Sequence, residues 1–151
     1  MSGVGYLTQE APPEAPVLRV PVVPLDEALE GADRPALLAA DVEGAELAVL
    51  RGARRMLGRA RPVIAIEACG RHLQRAGASL EELHVELLRQ GYLVRAIRRW
   101  GLRPPDLGAA AEPGNWVAVP EERKALLGRL SLHLKCCGAL PPWRGVNPLA
   151  K

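Results

Sequence analysis

A mixed α/β fold built on a mainly parallel sheet is the architecture this sequence predicts, and three observations predict it. Two short apolar runs, Leu37-Leu38-Ala39-Ala40 and Val63-Ile64-Ala65-Ile66, each end on an acid, Asp41 and Glu67 respectively. Unbroken apolar runs of this length suit parallel strands covered on both faces. Between the runs, Leu47, Val49, Leu50, Ala53, Met56 and Leu57 recur at helical spacing, with Arg51, Arg54 and Arg55 largely elsewhere on the wheel, which predicts an amphipathic helix from Ala45 to Leu57. After them, Ser79-Leu80-Glu81-Glu82 matches a capping box, the serine closing a helix start and the glutamate reaching back to it. Strand, helix, strand, helix in that order implies βαβ units with right-handed crossovers.

The remaining elements fall around this frame. From Gly3 to Val23 short apolar stretches alternate with Pro12, Pro13 and Pro16, which reads as an edge hairpin or loop because proline cannot donate into a central ladder. Gly3-Val4-Gly5 is no phosphate loop, since no strand precedes it and no helix opens after it. Pro24 to Glu30 can form a short helix that Gly31 stops. Leu80, Leu83, Leu87 and Leu88 supply the apolar stripe of the capped helix, and Gly91 is placed to end it in a left-handed conformation. Tyr92 to Ile97 is a third strand and Trp116 to Val119 a fourth, joined by a Gly/Pro-rich loop from Gly101 to Gly114. With no helix between them, these two strands can lie antiparallel. A last helix is expected from about Glu121 to Leu134, before a fraying tail that holds Pro141, Pro142 and Pro148. The chain thus divides into a leading segment, 1–23, a body, 24–134, and a flexible tail, 135–151.

At 151 residues, with 48% hydrophobic and 25% charged residues, the composition is that of an ordinary globular domain. No stretch is apolar enough for a membrane span, and no basic or apolar leader follows Met1, so a soluble, cytoplasmic protein is expected. The net charge of +3 comes mainly from arginine. Arg51, Arg54, Arg55, Arg59 and Arg61 cluster, as do Arg95, Arg98, Arg99 and Arg103, but few aromatics interleave with them, so no nucleic-acid partner is expected. Cys69, Cys136 and Cys137 are odd in number and lack a C-x-x-C spacing, which argues against a disulfide framework or zinc site. A lone histidine is ordinarily a packing or surface residue. That reading is adopted for His72, His84 and His133, although His72, five residues past Glu67, is the most tempting general base.

The sharpest local feature is Asp41-Val42-Glu43-Gly44-Ala45-Glu46, directly after a strand and opening a helix. Acids beside a helix start gain from its dipole, and Asp41 could cap the turn structurally. Gly44 permits a tight turn or the close approach of a ligand. Ligands of such sheets bind beyond the carboxyl ends of the strands, where Asp41 and Glu67 lie. Converging there, the two acids could take a proton, hold a divalent metal through oxygen, or grip a cationic group. Spacing alone leaves these options open, and no metal site is assigned from the sequence.

The run from Asp41 to Ala53, DVEGAELAVLRGA, closely resembles the signature segment of FkbM-type methyltransferases. The resemblance extends back to Val22-Val23-Pro24-Leu25-Asp26 and forward through Arg61 to Glu67, Gly91-Tyr92, and Asn115 to Pro120, so that it covers roughly residues 3 to 120. It implies the C-terminal half of a Rossmann-like, class I methyltransferase sheet. The strands ending at Asp41 and Glu67 would be the fourth and fifth of seven, Tyr92 to Ile97 the sixth, and Trp116 to Val119 an antiparallel seventh inserted between fifth and sixth. It also implies S-adenosyl-L-methionine as cofactor and a hydroxyl on a small molecule, sugar or lipid as acceptor. Asp41 would face the methyl-transfer centre and the cofactor, with Glu43, Glu46 and Glu67 as supporting catalytic positions, either a polar frame or metal ligands. The family's first three strands, its Gly-rich cofactor loop and its ribose-gripping acid have no counterpart in this sequence.

Two other readings stand beside the enzyme: a non-catalytic remnant, and an interaction module that docks a partner by its sheet edge or arginine faces. The strand from Leu37 to Ala40 carries neither charge nor proline to blunt an open edge, so self-association, or pairing with a complementary N-terminal half, is expected.

Overall fold

The computed structural model describes residues 20–31, 34–108 and 113–139. Most of the leading segment and the proline-bearing tail lie outside these residues, and so does the hairpin expected from Gly3 onward, except at Val20 to Val23, which form no strand. In chain order the elements are α1 (Leu25–Ala28), β1 (Leu37–Ala40), α2 (Glu46–Gly52), α3 (Arg54–Ala60), β2 (Val63–Ala68), α4 (Gly70–Arg75), α5 (Leu80–Arg89), β3 (Tyr92–Arg98), β4 (Gly101–Arg103) and β5 (Gly114–Pro120). A 3-10 turn, Glu121–Arg123, and α6 (Ala125–Ala139) complete the described chain.

The five strands form one mixed sheet in the order β1-β2-β5-β3-β4. β1 and β2 are parallel, with Leu37 opposite Val63 and Ala40 opposite Ile66, so the next residues, Asp41 and Glu67, emerge side by side at the carboxyl ends. β5 is antiparallel to both of its neighbours, Ile66 facing Trp116 on one side and Ala96 facing Trp116 on the other. The adjacency expected for the two acid-tipped strands and the inversion of the Trp116 strand are therefore both present. β5 is central and is buried from Trp116 to Pro120.

One face of the sheet carries the main core. Ile64, Ile66 and Ala68 of β2 and Tyr92, Val94 and Ala96 of β3 alternate inward against Leu50, Met56, Leu57, Leu83 and Leu87 of the helices. Burial of side chains of this size contributes about 1.5–3 kcal/mol each. α6 lies against β4, where the Ser131 hydroxyl accepts the Leu102 N–H at 3.5 Å. β1 departs from the expected strand covered on both faces: it ends the sheet, Leu37 is 58% exposed, and only Ala40 is buried. An unpaired edge among the described elements leaves its apolar side chains without cover.

Further expectations are corrected. The single helix from Ala45 to Leu57 is two helices that part at Ala53 (φ −114°, ψ 10°). The cause is Asp26, whose carboxylate accepts the Arg55 N–H at 2.9 Å and the Met56 N–H at 2.7 Å. Those two donors would otherwise have bonded back along the helix, and Asp26 instead starts a new one, as a cap supplied from α1. The loop after β3 is not wholly irregular: Gly101 to Arg103 folds back as β4, with Arg98 opposite Gly101. α4 was not foreseen, because six residues carry too little periodicity to signal a helix. In α5 the capping box forms as expected, Ser79 Oγ accepting from Glu82 N and Glu82 Oε2 from Ser79 N. Leu88, however, is exposed, and the buried place in the stripe goes to Glu86, held by Arg54 at 3.0 Å. The last helix runs to Ala139, five residues past the expected end at Leu134 and into the segment read as a tail.

Gly91 has φ +75° as the helix stop requires. Arg61, itself left-handed at φ 51°, ties this corner together: its guanidinium donates to the carbonyls of Gln90 and Gly91, pairs with Glu122, and lies over the Tyr92 ring. Arg61 holds the Glu122 carboxyl down at about 2, and burial pushes the Tyr92 hydroxyl up to about 12.

Asp26 yields a stability prediction. Burial opposes its ionisation, but the backbone donors of Arg55 and Met56 outweigh it and hold the carboxyl below its ordinary value of 3.8. A lowered carboxylate contributes stability above its unfolded pKa and loses it as pH falls through the folded one. Asp26→Ala is expected to cost about 1–2 kcal/mol at pH 7, as for a lost helix cap. In urea titrations the difference from the parent chain should shrink as pH falls below about 4. An unchanged midpoint at pH 7 would show that the cap carries no weight.

Candidate active site

The segment that joins β1 to α2 is a turn organised by one buried carboxylate. Glu46 is 1% exposed, and its Oε1 accepts from the Val42 N–H at 3.1 Å and the Gly44 N–H at 3.2 Å. The capping task expected of Asp41 thus falls to Glu46, because Asp41 is exposed at the strand end and Ala45 is the residue before α2. Closing the turn this tightly forces left-handed backbone at Glu43 (φ 53°) and Gly44 (φ 110°). For glutamate that conformation costs roughly 1–3 kcal/mol and persists only where surrounding contacts hold it. Here Arg75 of α4 donates to the Glu43 carbonyl at 3.0 Å.

α4 packs directly on this turn. At Gly44 a Cβ would run into the His72 carbonyl group, so only glycine lets the two backbones approach. His72 lies in the first turn of α4, where side chains lean back toward the helix start and hence toward the end of β2. Its Nδ1 stands 2.8 Å from Glu43 Oε2 and 3.7 Å from Glu67 Oε2. Despite the short distance, Nδ1 is buried without a hydrogen bond: the geometry toward Glu43 does not meet the directional requirement. The three side chains are about three-quarters buried, each between 26% and 29% exposed.

The electrostatics follow from this crowding. The Glu67 carboxyl is raised above its ordinary 4.5, first by burial and then by the charges of Asp41 and Glu43, with His72 opposing. Glu46 adds to the same negative field, and its Oε2 is buried with no hydrogen-bond partner. A carboxyl raised above its ordinary value, a histidine and a second carboxylate within reach of one another can accept a proton from a bound hydroxyl or hold a cation.

Of the four acids singled out in the sequence, Glu43 and Glu67 meet, Asp41 flanks them at the end of β1, and Glu46 is turned inward to build the turn. His72, read as a packing residue, is instead the group the two glutamates share. Its signal was its position four residues after Ala68, the last residue of β2, but the intervening short helix gave no pattern to locate it. Of the other histidines, His84 stands edge-on to the Trp116 ring with centroids 6.1 Å apart, and the exposed His133 has its Nε2 3.4 Å from Cys137 Sγ. Arg54, Arg55 and Arg61 of the basic cluster are each committed to a carboxylate, Glu86, Asp26 and Glu122.

An α/β sheet with acids gathered beyond the carboxyl ends of two parallel strands is the architecture of a Rossmann-like enzyme. The family model of the methyltransferase FkbM domain matches residues 9–94, more than half of the chain, and the chain belongs to that family. The match includes Asp41, Glu43, Glu46, Glu67 and His72 and stops within β3, so the Asn115 to Pro120 segment lies beyond it. No curated protein and no solved structure matches the chain significantly. FkbM methyltransferases use S-adenosylmethionine. The acids at the ends of β1 and β2 suit the positive sulfonium end of that cofactor. The sheet as described ends at β1, and no strand or loop beyond it offers a seat for the adenosine end among the described residues. No described helix is long and apolar enough to cross a membrane.

The raised Glu67 carboxyl sets a second prediction. An acid whose folded pKa lies above its unfolded value favours the fold at low pH, and that contribution is lost as pH rises through the folded pKa. Glu67→Gln removes the crowded charge and is expected to stabilise the chain at pH 7 by roughly 0.5–1 kcal/mol, a gain that disappears toward pH 4. Chemical denaturation at the two pH values checks it. A loss of stability at pH 7 would mean the charge is well accommodated.

Proposed function

We propose that this chain carries the acceptor side of an S-adenosylmethionine-dependent O-methyltransferase whose substrate is a hydroxyl on a small molecule, sugar or lipid. The observation that carries the reading is the convergence of Glu43, Glu67 and His72 beyond β1 and β2 in a chain of the FkbM family. The cofactor, when bound, supplies an electrophilic methyl group on a cationic sulfonium. Asp41 lies on the cofactor side, where its exposed carboxylate favours that cation. Glu43, Glu67 and His72 bind and orient the hydroxyl, and the cluster takes its proton as the O–CH₃ bond forms and the S–CH₃ bond breaks. Glu46 acts by holding the turn that positions Glu43.

β1 then corresponds to the fourth strand of a class I sheet, and its open edge supports the view that the adenosine seat comes from an N-terminal half paired along Leu37 to Ala40. The same edge favours the second reading, a remnant or docking module without catalysis. Calorimetry and product analysis separate them. The chain alone should bind S-adenosylmethionine weakly, because the preorganised contacts on the adenosine side are not among its described residues. Mixed with a class I N-terminal half that carries the Gly-rich loop, it should release S-adenosylhomocysteine from a panel of hydroxylated acceptors. His72→Asn or Glu67→Gln should lower kcat by about 10²-fold or more, the usual weight of a general base. No release from the mixture would sustain the remnant reading instead.

A further inference from the structure

The Glu43, Glu67 and His72 side chains form a donor set whose geometry has a use besides proton transfer. One ligand atom from each, a carboxylate oxygen from each glutamate and an imidazole nitrogen from His72, lies within 4.8 Å of the other two. Two ligand atoms bound at 2.0–2.2 Å to one ion stand at most about 4.4 Å apart, and roughly 3.4 Å in a tetrahedral site. The separations of Nδ1 from the two carboxylates, 2.8 and 3.7 Å, bracket that value. His72 adds an observation independent of the acids. Its Nδ1 is buried and stands 2.8 Å from a carboxylate oxygen, yet it does not meet the directional geometry of a hydrogen bond. Glu46, 1% exposed with Oε2 also unpartnered, sits in the same electrostatic neighbourhood, which adds negative charge without adding a donor.

We propose that Glu43, Glu67 and His72 bind one divalent transition-metal ion, a site the sequence did not assign. The imidazole and the count of three protein ligands favour zinc or a neighbouring first-row ion over magnesium or calcium, which prefer all-oxygen shells of six or more ligands. Three protein ligands would leave a coordination position open. The inference deepens the reading of this cluster as the acceptor site and rests on it for its role, though not for its existence.

The backbone supports a clean test. Glu43 is left-handed, so Glu43→Gly deletes a ligand while relieving strain, and the fold should persist. Zinc chloride titrated calorimetrically into the metal-stripped chain, without S-adenosylmethionine, should show one site of micromolar or tighter affinity, and magnesium chloride none at the same concentrations. Glu43→Gly and His72→Gln, each verified as folded by circular dichroism, should weaken zinc at least tenfold. Cys136, Cys137 and His133 on α6 offer the competing donors, so a Cys136→Ser/Cys137→Ser variant is the control and should bind zinc as the parent does. Loss of binding in the cysteine variant with retention in Glu43→Gly would overturn the proposal, as would no zinc binding by the parent chain. Zinc bound at this site without methyl transfer in the complemented assay would leave the metal site standing and remove the methyltransferase reading; methyl transfer without zinc binding would do the reverse.

Discussion

Everything at the candidate site depends on the buried carboxylate of Glu46. An ionisable side chain at 1% exposure is tolerable only where its oxygens meet donors, and Oε1 meets two, the backbone N–H groups of Val42 and Gly44. Those contacts close the chain between β1 and α2 into a turn too tight for ordinary backbone. The strain falls on Glu43 and Gly44, both at positive φ. Glycine bears this without penalty. Glutamate does not, and its presence at such a position is the kind of local compromise found where a side chain has a task.

The second constraint is the contact between Gly44 and the His72 carbonyl. It brings α4 against the turn at backbone distance, and Arg75 fastens the other side through the Glu43 carbonyl. His72 is thereby delivered to two carboxylates that reach it from different elements, Glu43 from the turn and Glu67 from the end of β2. No one of these elements contains the site. A change at Gly44 would move His72 without touching any of the three functional groups. The raised Glu67 carboxyl is the electrostatic consequence of gathering them.

The helical layer is organised by a similar economy of charge. Asp26 starts α3 from outside it, Glu86 occupies a buried stripe position by pairing with Arg54, and Arg61 clasps the turn before β3. Arg54 and Arg61 of the sequence cluster are in these cases structural, each paired with a carboxylate or carbonyl. Among the described residues β1 has no such device at its open edge.

What the sequence determined by itself was the set of elements whose signals are local. Apolar runs marked the strands, the capping box marked α5, Gly91 marked its end, and the Asp41 to Glu46 motif marked the family and the region of the site. The adjacency of β1 and β2 also followed, from the βαβ order together with the family resemblance. Only the tertiary structure decided which acids meet. The break at Ala53 needed Asp26, 27 residues earlier in the chain. β4 needed β3 to pair with, Glu86 needed Arg54 to be buried, and His72 needed a glycine on another element to come within reach of Glu43. Apart from the β3–β4 hairpin, each of these is a contact between residues far apart in sequence, and periodicity along one element carries no information about the partner that a side chain will find across the fold.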